Sequence, residues 1–168
     1  MKYLAILALV SAFFSPASLA LTEQHSITEL APNDQRYLQY QRQRINDLFM
    51  SQLGQNIRGD KSDLIAMQKL IDQHIIKRDD TLMNQALGVV FGDLLAKDLN
   101  MKWVVYTDQI GRSRALQLGH SEYLLFPVSI ISRRTDAGIT PDIQQLYRQT
   151  VERIQPHITK NPYYKPVH

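Results

Sequence analysis

Apolar positions fall at helical spacing over three stretches before any strand pattern appears. From Asn33 or Asp34, either able to cap a helix, Tyr37, Tyr40, Ile45, Leu48, Phe49 and Leu53 recur mostly at three- and four-residue steps until Gly54. This predicts an amphipathic helix. After a turn over 55–60, Ser62 caps a second helix carrying Leu64, Met67, Leu70, Ile71 and Ile75, with Lys77 and Arg78 at its C-terminal end. A third, over 79–99, is apolar nearly all round, so it should be central. Gly88 and Gly92 lie one turn apart on it, each costing about 1 kcal/mol of helix propensity against alanine. That cost implies close approach by another backbone, from the sheet or a neighbouring helix. Asn100 can close the helix in a left-handed conformation.

The period then changes to two. Lys102 to Thr107 reads as a strand with both faces covered, since Trp103 and Val105 oppose Val104 and Tyr106. Asp108, Gln109, Ile110 and Gly111 make a hairpin, Arg112 to Leu118 returns as an edge-like strand, and Gly119 turns into a third strand at Tyr123–Phe126. Pro127 suits the first turn of a helix, so 128–137 reads as a short helix ending at Gly138, with a fourth strand as the alternative. Thr140 and Pro141 open the last helix, whose stripe is Ile143, Leu146, Tyr147, Val151 and Ile154, up to Pro156. The order is α+β: three N-terminal helices, a small antiparallel sheet of about three strands, then one short and one longer C-terminal helix. The helices should cover one face of the sheet.

The first twenty residues have another pattern. Lys2 is followed by an apolar region from Leu4 to Phe14, a break at Ser15 and Pro16, and small residues at Ala17, Ser18 and Ala20. This is the layout of a secretory signal, with cleavage expected after Ala20, or after Ala17 as the nearest alternative. The apolar stretch is about half of the roughly 20 residues a membrane-crossing helix needs, so no anchor is expected after cleavage. The organisation is then a signal peptide over 1–20, a flexible lead-in over 21–32, one α+β domain over 33–156 and an extended tail over 157–168. The expected destination is the periplasm or the exterior of a bacterial cell.

Composition narrows the chemistry. There is no cysteine, which removes disulfides, thiolate catalysis, thiolate zinc sites and lipid attachment at the cleavage point. Of 19 Lys and Arg against 16 Asp and Glu, Lys2 leaves with the signal and 18 basic residues remain. Arg36, Arg42 and Arg44 in the first helix and the Arg133–Arg134 pair are the local concentrations, and neither makes the basic stripe of a nucleic-acid binder. The five histidines are scattered; His120 and Glu122 share a face but lack further ligands, so neither metal nor cofactor is expected.

A nucleophile elbow, phosphate loop and dinucleotide fingerprint are all missing. For a hydrolase, the acids to inspect are Asp93, on an otherwise apolar helix, and Asp108, at the hairpin. For binding, Arg133 and Arg134 come first, because guanidinium groups take carboxylate or phosphate bidentately; helix capping, or a bridge to Asp136, Asp142 or Glu152, is the structural alternative. Trp103 and Asp108 complete the binding candidates. Expected partners are an envelope protein or a small anionic ligand.

Several features recur in a family order. Met67-Gln68-Lys69-Leu70-Ile71-Asp72 precedes Ala86 to Asp93; Trp103-Val104, Asp108 to Gly111, Phe126-Pro127, Ile131 to Arg134 and Asp142 to Tyr147 follow. The stretch from Asp63 to Val151 thereby resembles the bacterial domain of unknown function 3806, with Asn100 standing where the family has glycine. The resemblance implies no activity. The leading expectation is a non-enzymatic binding module, and the alternative is an envelope hydrolase.

Overall fold

A computed structural model of the protein describes residues 25–158. The expected signal peptide, and the tail beyond 158, lie outside the described residues. The chain runs β1 (Ser26–Glu29), α1 (Pro32–Leu53), α2 (Ser62–Asp72), α3 (Thr81–Asp98), β2 (Met101–Thr107), β3 (Arg112–Leu118), β4 (Leu124–Leu125), α4 (Pro127–Ile130), α5 (Ser132–Asp136) and α6 (Ile143–Ile158). The α+β order stands, with four antiparallel strands in the order β1-β2-β3-β4 rather than three.

The extra strand is in the stretch read as a flexible lead-in. Ser26–Glu29 pairs with Val104–Thr107 of β2. Its side chains are mostly exposed, so it carries no apolar alternation, and only the unpaired edge of β2 recruits it. On the other side of the sheet β3 lies between β2 and β4, but β4 pairs only with Leu116 and Gln117, so the Arg112 end of β3 stays on the edge that its imperfect alternation suggested. The turn into β4 holds itself: the Ser121 hydroxyl lies 2.7 Å from the Leu118 carbonyl and 3.2 Å from the Tyr123 amide.

Helix α3 is the hub. Ala86, Leu87, Val89, Val90, Phe91, Leu94 and Leu95 are all buried, as expected of a helix without a polar face. The apolar side chains of α1, α2, α6 and the sheet gather around it in one core. On α1 the buried stripe is Leu38, Ile45 and Phe49, while Tyr40, expected on it, is exposed. Helix α2 stops at Asp72 instead of running to Ile75, because His74 adopts a left-handed φ of 56° and Ile75 and Ile76 both donate to the Leu70 carbonyl. Ile76 is buried there. Asn100 takes its expected left-handed conformation, at φ 51°.

The segment after Pro127 is helical, which removes the fourth-strand alternative there, but it forms two short helices, α4 and α5. Helix α6 passes through Pro156 to Ile158, two residues beyond the expected end. Pro156 removes one backbone donor from this last turn. Strand β1 and the last two residues of α6 lie outside the span 33–156 expected for the domain.

Candidate functional site

Most charged side chains near the core are bound to partners. Asp34, in the first turn of α1, is fully buried and accepts from Ala31 N at 3.2 Å. Its two oxygens meet Arg112 Nη1 at 2.7 Å and Arg112 Nη2, and Arg114 Nη2 lies 3.0 Å away. Arg112 and Arg114 alternate along β3 and so share one face, and the Arg114 guanidinium stacks 3.8 Å from the Tyr37 ring centre. The Arg112 hydrogen bonds hold the Asp34 carboxyl below its ordinary range, and Asp34 in turn raises Arg112.

Asp93 is the second such acid. Arg42 of α1 grips it with Nε at 2.6 Å and Nη2 at 2.7 Å, and Trp103 Nε1 of β2 donates at 2.9 Å. The hydrogen bonds to Asp93 raise Arg42. The glycines explain how Trp103 reaches it. A Cβ on Gly92 would stand 2.6 Å from the Trp103 ring and 2.8 Å from Pro127 Cβ, and one on Gly88 would stand 2.4 Å from the Pro127 carbonyl oxygen. The close approach expected of the two glycines is thus to the start of α4 and to the Trp103 ring. Gly88, Gly92, Asp93, Trp103 and Pro127 form one knot tying α3 to β2 and α4.

Two further polar groups serve the loops. Gln68 of α2 accepts from Ile143 N at 2.8 Å, capping α6 from another helix, while Asp63, fully buried, accepts from Arg58 N at 3.0 Å and Gly59 N at 2.7 Å. Tyr147 donates to Asp98 at 2.6 Å. Burial, and then Asp98, push the Tyr147 phenol well above its ordinary value.

One groove differs. It lies between α5, α6 and β4, has a volume of about 370 Å³, and is lined by Leu125, Phe126, Arg133, Arg134, Thr150 and Arg153 among others. No acid lines it. Arg134 donates to the Ile130 carbonyl at 2.6 Å, a cap on α4. The side chains of Arg133 and Arg153, both exposed, have neither an ion pair nor a hydrogen bond among the described residues. At one end of β4, Tyr123 and His157 stack with ring centres 3.8 Å apart. The uncommitted guanidinium groups can accept an anion bidentately, and the apolar floor can hold its attached chain.

The structure brings Arg133 and Arg134 into this groove and leaves Trp103 and Asp108 out of it. Trp103 is committed to Asp93. Asp108 turns on its own hairpin, accepting from Ile110 N at 2.9 Å and Gly111 N at 3.0 Å. Asp93 and Asp108 share no partner among the described residues: Asp93 of α3 is held by Arg42 and Trp103, and Asp108 by its own hairpin. Arg153 was missed, since it falls off the apolar stripe of α6, and only its place one turn beyond Thr150 on the groove side reveals it. Among the described residues no group of three His, Asp or Glu could hold a metal ion. Glu122 meets His25 at 3.1 Å.

No curated protein matches the chain. A crystal structure of a protein from Bacteroides thetaiotaomicron VPI-5482 is similar, with a TM-score of 0.70 and 16% identity, over 77% of this chain and 48% of that one. At that identity the likeness is one of fold, and this chain spans about half the length of that protein. Residues 63–147 match the model of the domain of unknown function (DUF3806), and with half of its length matched, including the glycine–tryptophan knot and the α5 side of the groove, the chain belongs to that family.

Proposed function

We propose that this chain is an exported, non-enzymatic binding module of the bacterial envelope that captures an anionic group in the groove between α5, α6 and β4. The observation that carries the reading is the pair Arg133 and Arg153, two guanidinium groups without partners among the described residues on a groove that no acid lines. Elsewhere in the molecule the arginines near the core are bound to Asp34 and Asp93. Unpaired like charges facing one groove repel, and a bound anion would relieve that cost. The signal-like N-terminus supports the location, and the commitment of Asp93 to Arg42 and Trp103 and of Asp108 to its own hairpin supports a binding role over hydrolysis.

The test is capture of the tagged full-length protein from its native host after mild crosslinking. A stoichiometric envelope protein lost with the Arg133→Ala/Arg153→Ala variant is the expected result. Recovery of the protein alone by both forms would sink the reading. N-terminal sequencing of the material released by osmotic shock should begin at Leu21, and material retained in the cytoplasm with Met1 intact would overturn export.

A further inference from the structure

The groove has a wall that the arginines alone do not explain. β4 is an edge strand, and its hydrogen-bonding direction follows from the register. Leu118 N donates to Tyr123 O at 3.1 Å, and the pairs Gln117↔Leu124 and Leu116↔Leu125 continue that register. In an antiparallel ladder, hydrogen-bonded and non-hydrogen-bonded pairs alternate. Leu124 is therefore in a non-hydrogen-bonded pair, and its N–H and C=O point away from β3 to the free edge. The same alternation turns the Phe126 N–H outward. None of these three groups has a partner among the described residues outside the ladder. Leu124, Leu125 and Phe126 line the same groove as Arg133 and Arg153.

An unpaired strand edge beside a helix, with unpaired cations on the helical side, suits an extended chain that ends in a negative charge. Main-chain groups of such a chain would satisfy the edge, and its terminal carboxylate would take the guanidinium groups. Leu125, Ile130 and Leu146 offer an apolar floor for one of its side chains. An inorganic anion would use the arginines and leave the strand edge and the floor unused.

We propose that the groove binds the free C-terminus of an extended peptide, with its main chain along the open edge of β4 and its carboxylate held by Arg133 and Arg153. This rests on the binding-module reading and names the ligand class of the same site. The short strand limits the peptide to its last few residues, so recognition is dominated by the carboxylate and the side chain nearest to it.

The experiment is selection from a random heptapeptide library displayed with free C-termini, using the full chain freed of its signal, followed by fluorescence anisotropy on the selected peptides. The expected result is binding that falls at least about tenfold when the peptide is amidated, and by a similar factor in Arg133→Ala/Arg153→Ala. Arg133→Lys should retain part of it, because a lysine keeps the charge without the fork. An unchanged unfolding midpoint in these variants shows that they fold. Peptides that bind equally well as amides would overturn the proposal while leaving a binding module. So would an empty selection in which phosphate or citrate raises the unfolding midpoint of the wild type and not of the double variant. An empty selection with no response to either anion would sink both readings.

Discussion

The knot around α3 and the groove between α5 and α6 use similar side chains to opposite ends. In the knot, Arg42 is fixed on Asp93, Asp93 also takes Trp103, and glycines let the ring and the α4 backbone close in. In the groove, Arg133 and Arg153 have no acidic partner among the described residues. An arginine bound to a carboxylate has its charge neutralised and one edge of its fork occupied, whereas an unbound one keeps its whole fork and charge for a ligand. The family's motif residues Gly88, Gly92, Asp93, Trp103 and Pro127 therefore build the fold, and the arginine of its Ile-Ser-x-Arg segment, Arg134, caps α4, whereas Arg133, at the variable position, lines the groove.

The comparison breaks most sharply at the glycines. Gly88→Ala places a methyl 2.4 Å from a backbone carbonyl oxygen that cannot move without shifting α4, and a loss of about 3 kcal/mol should exceed the roughly 1 kcal/mol gained in helix propensity. Gly92→Ala meets side-chain atoms of Trp103 and Pro127 instead, so its loss should be smaller, about 2 kcal/mol. Urea unfolding of both variants measures the order. A Gly88→Ala variant as stable as wild type would mean that α4 does not sit against α3.

The acids come next. Asp93→Ala strands the Trp103 N–H and the Arg42 fork and should cost about 2–3 kcal/mol. Asp34→Asn should cost about 2 kcal/mol and also change the acid limb. Since Asp34 is held below its ordinary 3.8 when folded, its contribution is complete above that pH and is lost as pH falls through the lower folded value. Stability between about pH 4 and pH 2 should then fall less steeply in Asp34→Asn than in wild type. Equal slopes by thermal unfolding would show that the arginines do not hold this carboxyl.

The sequence announced the knot and concealed most of the rest. Two glycines in an apolar helix cost propensity and so marked a close contact before its partners were known. The period changes located α1 to α3, β2, β3 and the hairpin. Ser26–Glu29 was illegible because an edge strand with exposed side chains has no alternation to read; it is defined by the partner it finds. The edge-like alternation of β3 reflects that β4 pairs with only two of its residues. In the groove, Arg133 and Arg134 stood out as a pair, but only the geometry distinguishes the free Arg133 from Arg134, which caps α4. Asp34 was read as a possible cap; nothing in its neighbours foretold that β3 would bring it two arginines.

Tyr147 tests the pairing logic at the alkaline end. Burial and the Asp98 hydrogen bond raise its phenol, so the folded state keeps a proton that the unfolded chain loses above pH 10.0. Its contribution is complete below that pH and declines as pH rises beyond it. Tyr147→Phe should lose about 1 kcal/mol at neutral pH, the worth of one hydrogen bond, and should show a shallower fall between about pH 10 and pH 11. A variant with the wild-type alkaline slope would place the titration elsewhere.

The smallest expected effect is the one that separates the two regions. Arg133→Ala/Arg153→Ala removes two exposed side chains with no partner among the described residues, so the unfolding free energy should change by no more than about 0.5 kcal/mol. A small gain is allowed by the same physics, because two like charges no longer face one groove. Arg42→Ala is the matched control: it removes the same side chain from a site that contains an acid, and it should cost about 1.5 kcal/mol or more. The pair should also diverge in salt. Raising ionic strength screens repulsion in the groove and attraction in the knot, so it should narrow any gain in the double variant and reduce the loss in Arg42→Ala. If the double variant instead lost as much as Arg42→Ala, the groove arginines would be holding the fold together, and their availability to a ligand, on which the binding reading depends, would be gone.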